Sequence, residues 1–489
     1  MRGRASVAAG VTAGLVFAWL ADDIAQATPP SFTAPTAYQA STTNQEESLT
    51  GFLTGIKHSD YLLGDMWGLR PWLSQYGMSL NISETSEVLG NPTGGYNKGA
   101  DYDGLTQMTL QLETEKAFHW YGGTFNVSGL QIHGRNLSED NLGTLQTASG
   151  IESDRATRLW ELWYQQKFLR EDRLDVKIGQ QSLDQEFMVS QGALLFVNTM
   201  FGWPMLPSAD MPGGGPAYPL SALGVRLRAR PIDSLTFLAG VYNGSPAPNN
   251  VGDPQQSNPS GVNFPLDGGL LFIAEMQYSY PSLGSMVSAD QSSSLSGTYK
   301  LGFWYDTEDF PDQEYDNTGL SLANPLSTGT PADHRGDYAI YAVMDQAIWS
   351  DPNDEDADRT ISFFARAMGT PLQDRNLIDF SLNAGFTFHE PILHRDDDAF
   401  GIGMGYTRVS DRVANLDRDT GFFDGPGYPV RGDETFVEAT YQYELAPWCQ
   451  LQPDVQYVFN PGAGIPNPNA PGQRVKDELV LGIRMIVLF

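Results

Sequence analysis

The sequence reads as an all-β protein, a transmembrane antiparallel β-barrel of sixteen strands with a short N-terminal helical element. Three observations carry this reading. Apolar residues recur with a period of two along one segment after another. The connections between those segments alternate between tight and long. Beyond the N-terminus, no run of about 18 unbroken apolar residues could cross a membrane as a helix. A mean hydropathy of −0.30 suits such a barrel, because one face of each strand and all the loops meet water.

The first 27 residues have the make-up of an export signal. Arg2 and Arg4 precede an apolar stretch from Ala5 to Ala21, and Ala25-Gln26-Ala27 fits a small-x-small cleavage site. An uncleaved anchor is the rival, but the stretch is short for a span and the cleavage pattern is present. The mature chain is expected to start at Thr28. Residues 28–57, rich in Ser, Thr, Pro, Ala and Gln, read as a flexible leader with no core. Residues 58–77 differ. Asp65 is expected to cap a short helix carrying Trp67, Leu69, Trp72 and Leu73, with Pro71 near its first turn, packed on the barrel.

Residues 78–489 form the barrel proper. Strands are expected at about 78–90, 102–115, 123–134, 158–168, 173–181, 224–230, 234–242, 270–280, 298–306, 337–349, 359–368, 377–389, 399–408, 435–445, 449–459 and 478–489. The last shows the logic best. Leu479, Leu481, Ile483, Met485 and Val487 make a uniformly apolar face, whereas Arg484 lies on the other. Likewise Ile378, Phe380, Leu382, Ala384 and Phe386 oppose Asp379, Ser381 and Asn383. The third and eleventh segments alternate least cleanly; the pattern changes phase within Thr124 to Ile132, as a bulge there would cause. Turns such as 169–172, 231–233 and 446–448 are tight, and connections such as 135–157, 182–223, 307–336 and 409–434 are long. Two fit less well: 281–297 is long for a turn, and 369–376 is short for an outer loop. A soluble β-sandwich or propeller would use the same alternation, but no blade-length repeat is present and the second face carries Arg, Glu and Gln.

Composition removes several function classes. A net charge of −30 argues against nucleic-acid binding, which needs basic surface. Cys449 stands alone, so no internal disulfide or cysteine-ligated metal is expected. The six histidines are scattered, and His389-Glu390 with His394 misses the zinc-protease spacing by one residue. No Gly-x-Ser-x-Gly elbow and no phosphate-binding glycine motif occurs. The acidic runs Asp351–Asp358 and Asp396–Asp398 lack the central glycine of a calcium loop and read as solvated turns. Neither an enzyme nor a cofactor is expected.

Several long, non-repetitive stretches resemble the carbohydrate-selective porin family. They are LLGDMWGLRPWLSQYGMSLNISETSEVLGNPTGG (62–95), SGLQIHGRNLS (128–138), LQTASGIESDRATRLWELWYQQ (145–166), FVNTMFGWPMLPSADMPGGGPAYPLSALGVRLR (196–228), YAIYAVMDQAIW (338–349), RNLIDF (375–380) and APWCQLQPDVQYVFNPG (446–462). The similarity runs from about residue 60 to the C-terminus; Met66 departs from the family's usual residue in its first motif. The resemblance implies a sixteen-stranded outer-membrane channel for sugars such as glucose. The final Phe489 resembles the C-terminal signature that the barrel assembly machinery reads in outer-membrane proteins. Expected partners are therefore small carbohydrates, outer-membrane lipid and that machinery. Monomer and homotrimer both remain open. A structural or adhesive barrel and a barrel enzyme are the other classes.

A sugar pore needs hydrogen-bonding groups for hydroxyls and flat apolar surfaces for C–H faces. On the expected inward faces lie Arg226, Arg228, Arg158, Lys177, Arg366 and Arg484, with Glu161, Glu275, Asp345, Asp379, Glu438 and Glu444 as acceptors. Opposed acidic and basic walls would set up a field across the lumen. Connection 182–223 is the candidate constriction, with Phe201 and Trp203 to stack on sugar and Gly213–Gly215 to allow a tight path. Strict alternation lets only one of Trp160 and Trp163 face inward, and the pattern selects Trp163.

Overall fold

A computed structural model describes residues 59–248, 252–280, 295–351, 359–392, 395, 397–425 and 427–489. The expected signal and leader lie outside them, as do most of 281–297 and the run 352–358.

Sixteen strands close into one antiparallel barrel in which every neighbour in sequence is a neighbour in space. They are β1 (Met78–Thr93), β2 (Ala100–Glu113), β3 (Gly123–Gly134), β4 (Ala156–Phe168), β5 (Leu174–Gln181), β6 (Ala222–Ile232), β7 (Leu235–Asn243), β8 (Leu270–Tyr280), β9 (Gly297–Asp316), β10 (Pro331–Ser350), β11 (Thr360–Gly369), β12 (Ile378–His389), β13 (Ala399–Val409), β14 (Asp433–Ala446), β15 (Cys449–Phe459) and β16 (Glu478–Leu488). β1 pairs with β16 from Ser83↔Leu488 to Leu89↔Gly482, which leaves no free edge.

Burial is inverted relative to a water-soluble protein. Val225, Leu227, Phe272, Leu301, Ile340, Leu481 and Ile483 stand exposed on the outside, while Glu87, Asp175, Arg226, Glu275, Arg366, Glu438 and Gln456 are buried within. Aromatic residues such as Trp120, Tyr121 and Phe168 stand exposed at the short-turn rim, as in a membrane-interface girdle.

Three local features depart from simple alternation. β9 and β10 run past the expected ends at 306 and 337. Register shifts near Asp333 and Arg335 carry the hairpin onward. Asp316 then closes its tip by accepting from the backbone N–H of Thr318, Leu320 and Thr328. The bulge expected in β3 lies instead in its partner, where Ser128 and Gly129 face Glu161 and Leu159 and leave Trp160 as the extra residue. Asn126, Ser128, Leu130 and Ile132 all point inward, so the phase change in β3 is one of chemistry rather than direction. Ile378 turns inward because a register shift separates it from Phe380.

The N-terminal element contains helix α1 (Leu69–Gln75). Gly68, at φ +86°, is its N-cap in place of Asp65, and Pro71 sits in the first turn, where no intrahelical N–H is lost. The segment is fastened at the barrel seam. Leu62 N donates to Leu488 O at 2.8 Å, and the Arg70 guanidinium lies 3.6 Å from the Tyr61 ring centre and donates to Phe489 O. Two of the long connections contain helices: α2 (Met205–Asp210) and α3 (Asp411–Asp424). A small hairpin pairs Pro466–Asn467 with Ala470–Arg474.

Candidate functional site

Two long loops turn into the barrel instead of standing above it. The β5–β6 loop brings Phe187, Met188, Phe196, Met200, Phe201, Leu206 and Met211 into one buried cluster with wall residues such as Trp304, Tyr341, Phe364 and Phe436. The β3–β4 loop joins it: Gly150 N donates to Val197 O at 2.9 Å, and the Thr147 and Thr199 hydroxyls are 2.6 Å apart. The inward face of β13 leaves room for this cluster. A Cβ on Gly401 or Gly403 would come within 2.7 Å of the Phe196 or Phe201 ring.

A loop buried this way must satisfy its backbone groups, and the wall supplies partners from many sides. Glu275 accepts from Met188 N at 2.8 Å. Asp345 accepts from Gly192 N at 3.0 Å, and Glu438 from Val197 N and Asn198 N at 2.6 and 3.1 Å. Arg366 donates to the carbonyls of Met188, Met200, Phe201 and Gly202, and Lys300 to that of Val189. Glu434 holds the β3–β4 loop through Leu145 N and Gln146 N. Arg484 pairs with Glu87 and reaches Ser149 and Val197, tying both loops to the seam. The inward charges of the wall are therefore largely a suspension for the constriction.

Each expected site residue now has a place. Glu161 and Glu275 are loop anchors, the former accepting from Ser182 N at 3.1 Å. Arg158 is buried and donates to the carbonyls of Gln255 and Asn258 in the β7–β8 loop. Phe201, 1% exposed, stacks on Phe196 at 4.3 Å and meets Phe364 and Phe436 edge-on. Trp203, 5% exposed, donates from Nε1 to Gly214 O. Neither ring offers a face to the open lumen; Phe201 packs the loop against the wall, and Trp203 packs it against itself. The Gly213–Gly215 run, all at positive φ, makes the turn that receives Trp203. The β4 bulge turns Trp160 inward against Leu130 and Tyr218, although alternation had admitted Trp163 alone.

Arg226, Arg228 and Trp163 belong to a distinct group on β4, β5 and β6. Arg226 pairs with Asp175 and Glu186. Arg228, with 31% of its side chain open, lies 2.5 Å from Asp175. Lys177 pairs with Glu186 and sits 4.4 Å from the centre of a Trp163 ring. Asp175 and Glu186 did not stand out in the sequence. The signal was cross-strand: Asp175 faces Arg228 and Lys177 faces Arg226 in the β5–β6 register. These cations are thus neutralised by their own neighbours rather than across the lumen. Burial alone would raise the Glu186 pKa, but Lys177 and Arg226 pull it down to about 2. Asp210, at the end of α2, is pushed well above the usual carboxylate range by burial and by Asp337 and Asp379.

Among the described residues no cluster of His, Cys, Asp and Glu is arranged to hold a metal ion. The arrangement offers instead a polar lumen narrowed by a suspended loop, with guanidinium, ammonium, carboxylate and indole groups gathered where that loop leaves β5.

Comparison with known proteins agrees with this geometry. The family model described as "Carbohydrate-selective porin, OprB family" matches residues 97–489. Porin B of Pseudomonas aeruginosa is 25% identical over 452 residues, covering 88% of this chain and 92% of that protein. A putative porin, QuiX, of Acinetobacter baylyi is 24% identical, with 88% and 93% covered. The high-pH structure of Pseudomonas putida OprB superposes with a TM-score of 0.75 at 23% identity, covering 88% of this chain and 99% of that one.

Proposed function

Because the chain belongs to the carbohydrate-selective porin family, it is an outer-membrane sugar channel, and we propose that sugars are selected where Arg228, Lys177, Glu186 and Trp163 meet beside the constriction, with the buried Asp175 holding Arg228 in place. The observation that carries the assignment to these residues is the partial opening of Arg228 in a wall where charges such as Glu275, Glu438 and Arg366 are occupied with loop backbone. A guanidinium can give two hydrogen bonds to vicinal hydroxyls, a carboxylate can accept from them, and an indole face suits the sugar's C–H side. Paired charges leave little net field for an ion to follow, whereas a neutral polyol exchanges water for these groups one contact at a time. The suspended loop sets the size limit, so monosaccharides and small oligosaccharides pass by diffusion.

Family and fold point to a channel rather than to catalysis, and to a Gram-negative outer membrane. Reconstituted protein should make liposomes permeable to glucose more than to a zwitterion of equal size. Equal permeation of the two would leave the pore standing and remove the selective role of this cluster. Impermeable liposomes and silent planar bilayers would remove the channel itself.

A further inference from the structure

The strands leave a gap in the upper wall between β4 and β6. β5 has only 8 residues, and its pairing with β4 stops at Leu162↔Gln180, whereas β4 continues to Ala156. β6 starts level with the end of β5, at Gln181↔Ala222. At about 3.3 Å per residue and a tilt near 40°, a strand of that length rises about 20 Å, less than the apolar band of about 25 Å that a barrel presents to lipid. The β5-facing edge of β4 above Leu162 therefore has no strand beside it. Backbone N–H and C=O groups left open at that depth are unfavourable.

The β7–β8 loop occupies the gap, reaching β4 across the ends of β6 and β5. Leu159 N donates to Ser260 O at 3.0 Å, as it would to a neighbouring strand. Arg158 donates to the carbonyls of Gln255 and Asn258 at 3.3 and 3.2 Å, and Gln255 Oε1 accepts from Asp154 N at 2.8 Å. Gly261, at φ +76°, passes so close that a Cβ there would lie 2.1 Å from Leu159 O. On the far side of the loop, Glu308 of β9 accepts from Gly269 N at 2.6 Å. The loop also backs the constriction, because a Cβ on Gly213 would lie 3.4 Å from Pro254 Cβ. Gln180 joins these parts. It is 3% exposed, and its amide nitrogen lies 2.9 Å from Leu159 O and Trp160 O and 2.8 Å from Ser221 Oγ and Gly261 O. The edge of β4, the returning arm of the β5–β6 loop and the β7–β8 loop thus share one donor.

We propose that the β7–β8 loop is a panel of the pore wall and that Gln180 is the positioning residue that seats it, so that this seat fixes the size limit of the channel together with the suspended loop. Without the Gln180 amide, the acceptors on all three segments lose their common donor. The panel then lifts from β4, and the arm from Gly213 to Ser221 loses its backing. That arm moves outward and the passage widens. Arg228, Lys177 and Glu186 are held by Asp175 and Arg226 rather than by Gln180, so contact with a single sugar ring is kept. The inference rests on the chain being a channel and is independent of which residues select sugars.

The test measures permeation of a trisaccharide relative to glucose into liposomes that carry the full chain. Gln180→Leu keeps the bulk of the side chain and removes the donor. It should raise the ratio about three- to tenfold, the scale of one lost buried donor, with heat-modifiable migration and glucose block of the ion current as in the wild type. Adding Gly213→Cys and Pro254→Cys, with Cys449→Ser, ties panel to arm by another route, since their Cβ atoms lie near disulfide distance. Oxidation of that variant should return the ratio to the wild-type value, and reduction should raise it again. Should Gln180→Leu fail to assemble, Gly261→Val drives the panel off Leu159 from the other side and carries the same expectation. An unchanged ratio in an assembled variant overturns the proposal. So does a raised ratio that the oxidised cross-link leaves in place, or one accompanied by loss of glucose block.

Discussion

Arg226 and Arg228 are two residues apart on one strand face yet have different work. Arg226 is enclosed by Asp175 and Glu186, whereas Arg228 shares Asp175 and keeps a third of its side chain open. Arg228→Ala should weaken sugar block of the ion current about three- to tenfold, near the ~1 kcal/mol of one charged hydrogen bond partly exposed to water, with assembly unchanged. Titration of single-channel current with glucose measures this. Glu186 gives a pH test. Its folded pKa of about 2 lies below the ordinary value of about 4.3, so its contribution is full above that value and is lost as pH falls toward 2. The constriction should therefore hold steady at pH 5 and loosen near pH 2 to 3, seen as a larger, noisier open current. Glu186→Gln should already show the loosened current at pH 5 and change little on acidification.

At the scale of elements, the β5–β6 loop behaves as a small folded unit inside a rigid cylinder. Its aromatic rings rest on the glycine face of β13, and its backbone hangs from Arg366, Glu275, Asp345 and Glu438. Gly403→Leu would put a side chain where the Phe196 and Phe201 rings lie. Overpacking of this kind costs about 1–3 kcal/mol, and here the loop is the part that can yield. The expected outcome is a barrel that still assembles but passes larger sugars, read from liposome swelling with a size series of saccharides. The β3–β4 loop, hydrogen-bonded to the same unit, should gain hydrogen exchange in that variant.

At the scale of the whole molecule, the barrel exchanges the usual positions of polar and apolar residues. Ile483→Arg, on the lipid face near the middle of β16, should cost about 2–4 kcal/mol in unfolding from lipid vesicles. Gln107→Arg, on the lumen face of β2, should change conduction far more than stability. Similar losses for both would contradict the assignment of inside and outside. Closure between β1 and β16 is reinforced on both sides: Glu87 and Arg484 pair in the lumen, and Arg70 of the N-terminal element reaches the carbonyl of Phe489.

The sequence by itself determined the strand number, their order and the side most strand residues face, because a period of two is a local property that survives whatever the strand pairs with. The β9–β10 extension escaped it, since a hairpin beyond the membrane is polar on both faces and looks like loop. Trp160 escaped it because one inserted residue on β4 reverses a face without leaving a mark in composition. The tertiary structure alone decided what the inward charges do. Glu275, Glu161 and Arg366 look like sugar ligands when only their direction is known, and become anchors once a loop distant in sequence fills the lumen. The same event buried Phe201 and Trp203. Direction is set by neighbours along the chain, whereas occupancy depends on which backbone groups must find partners after the barrel has closed.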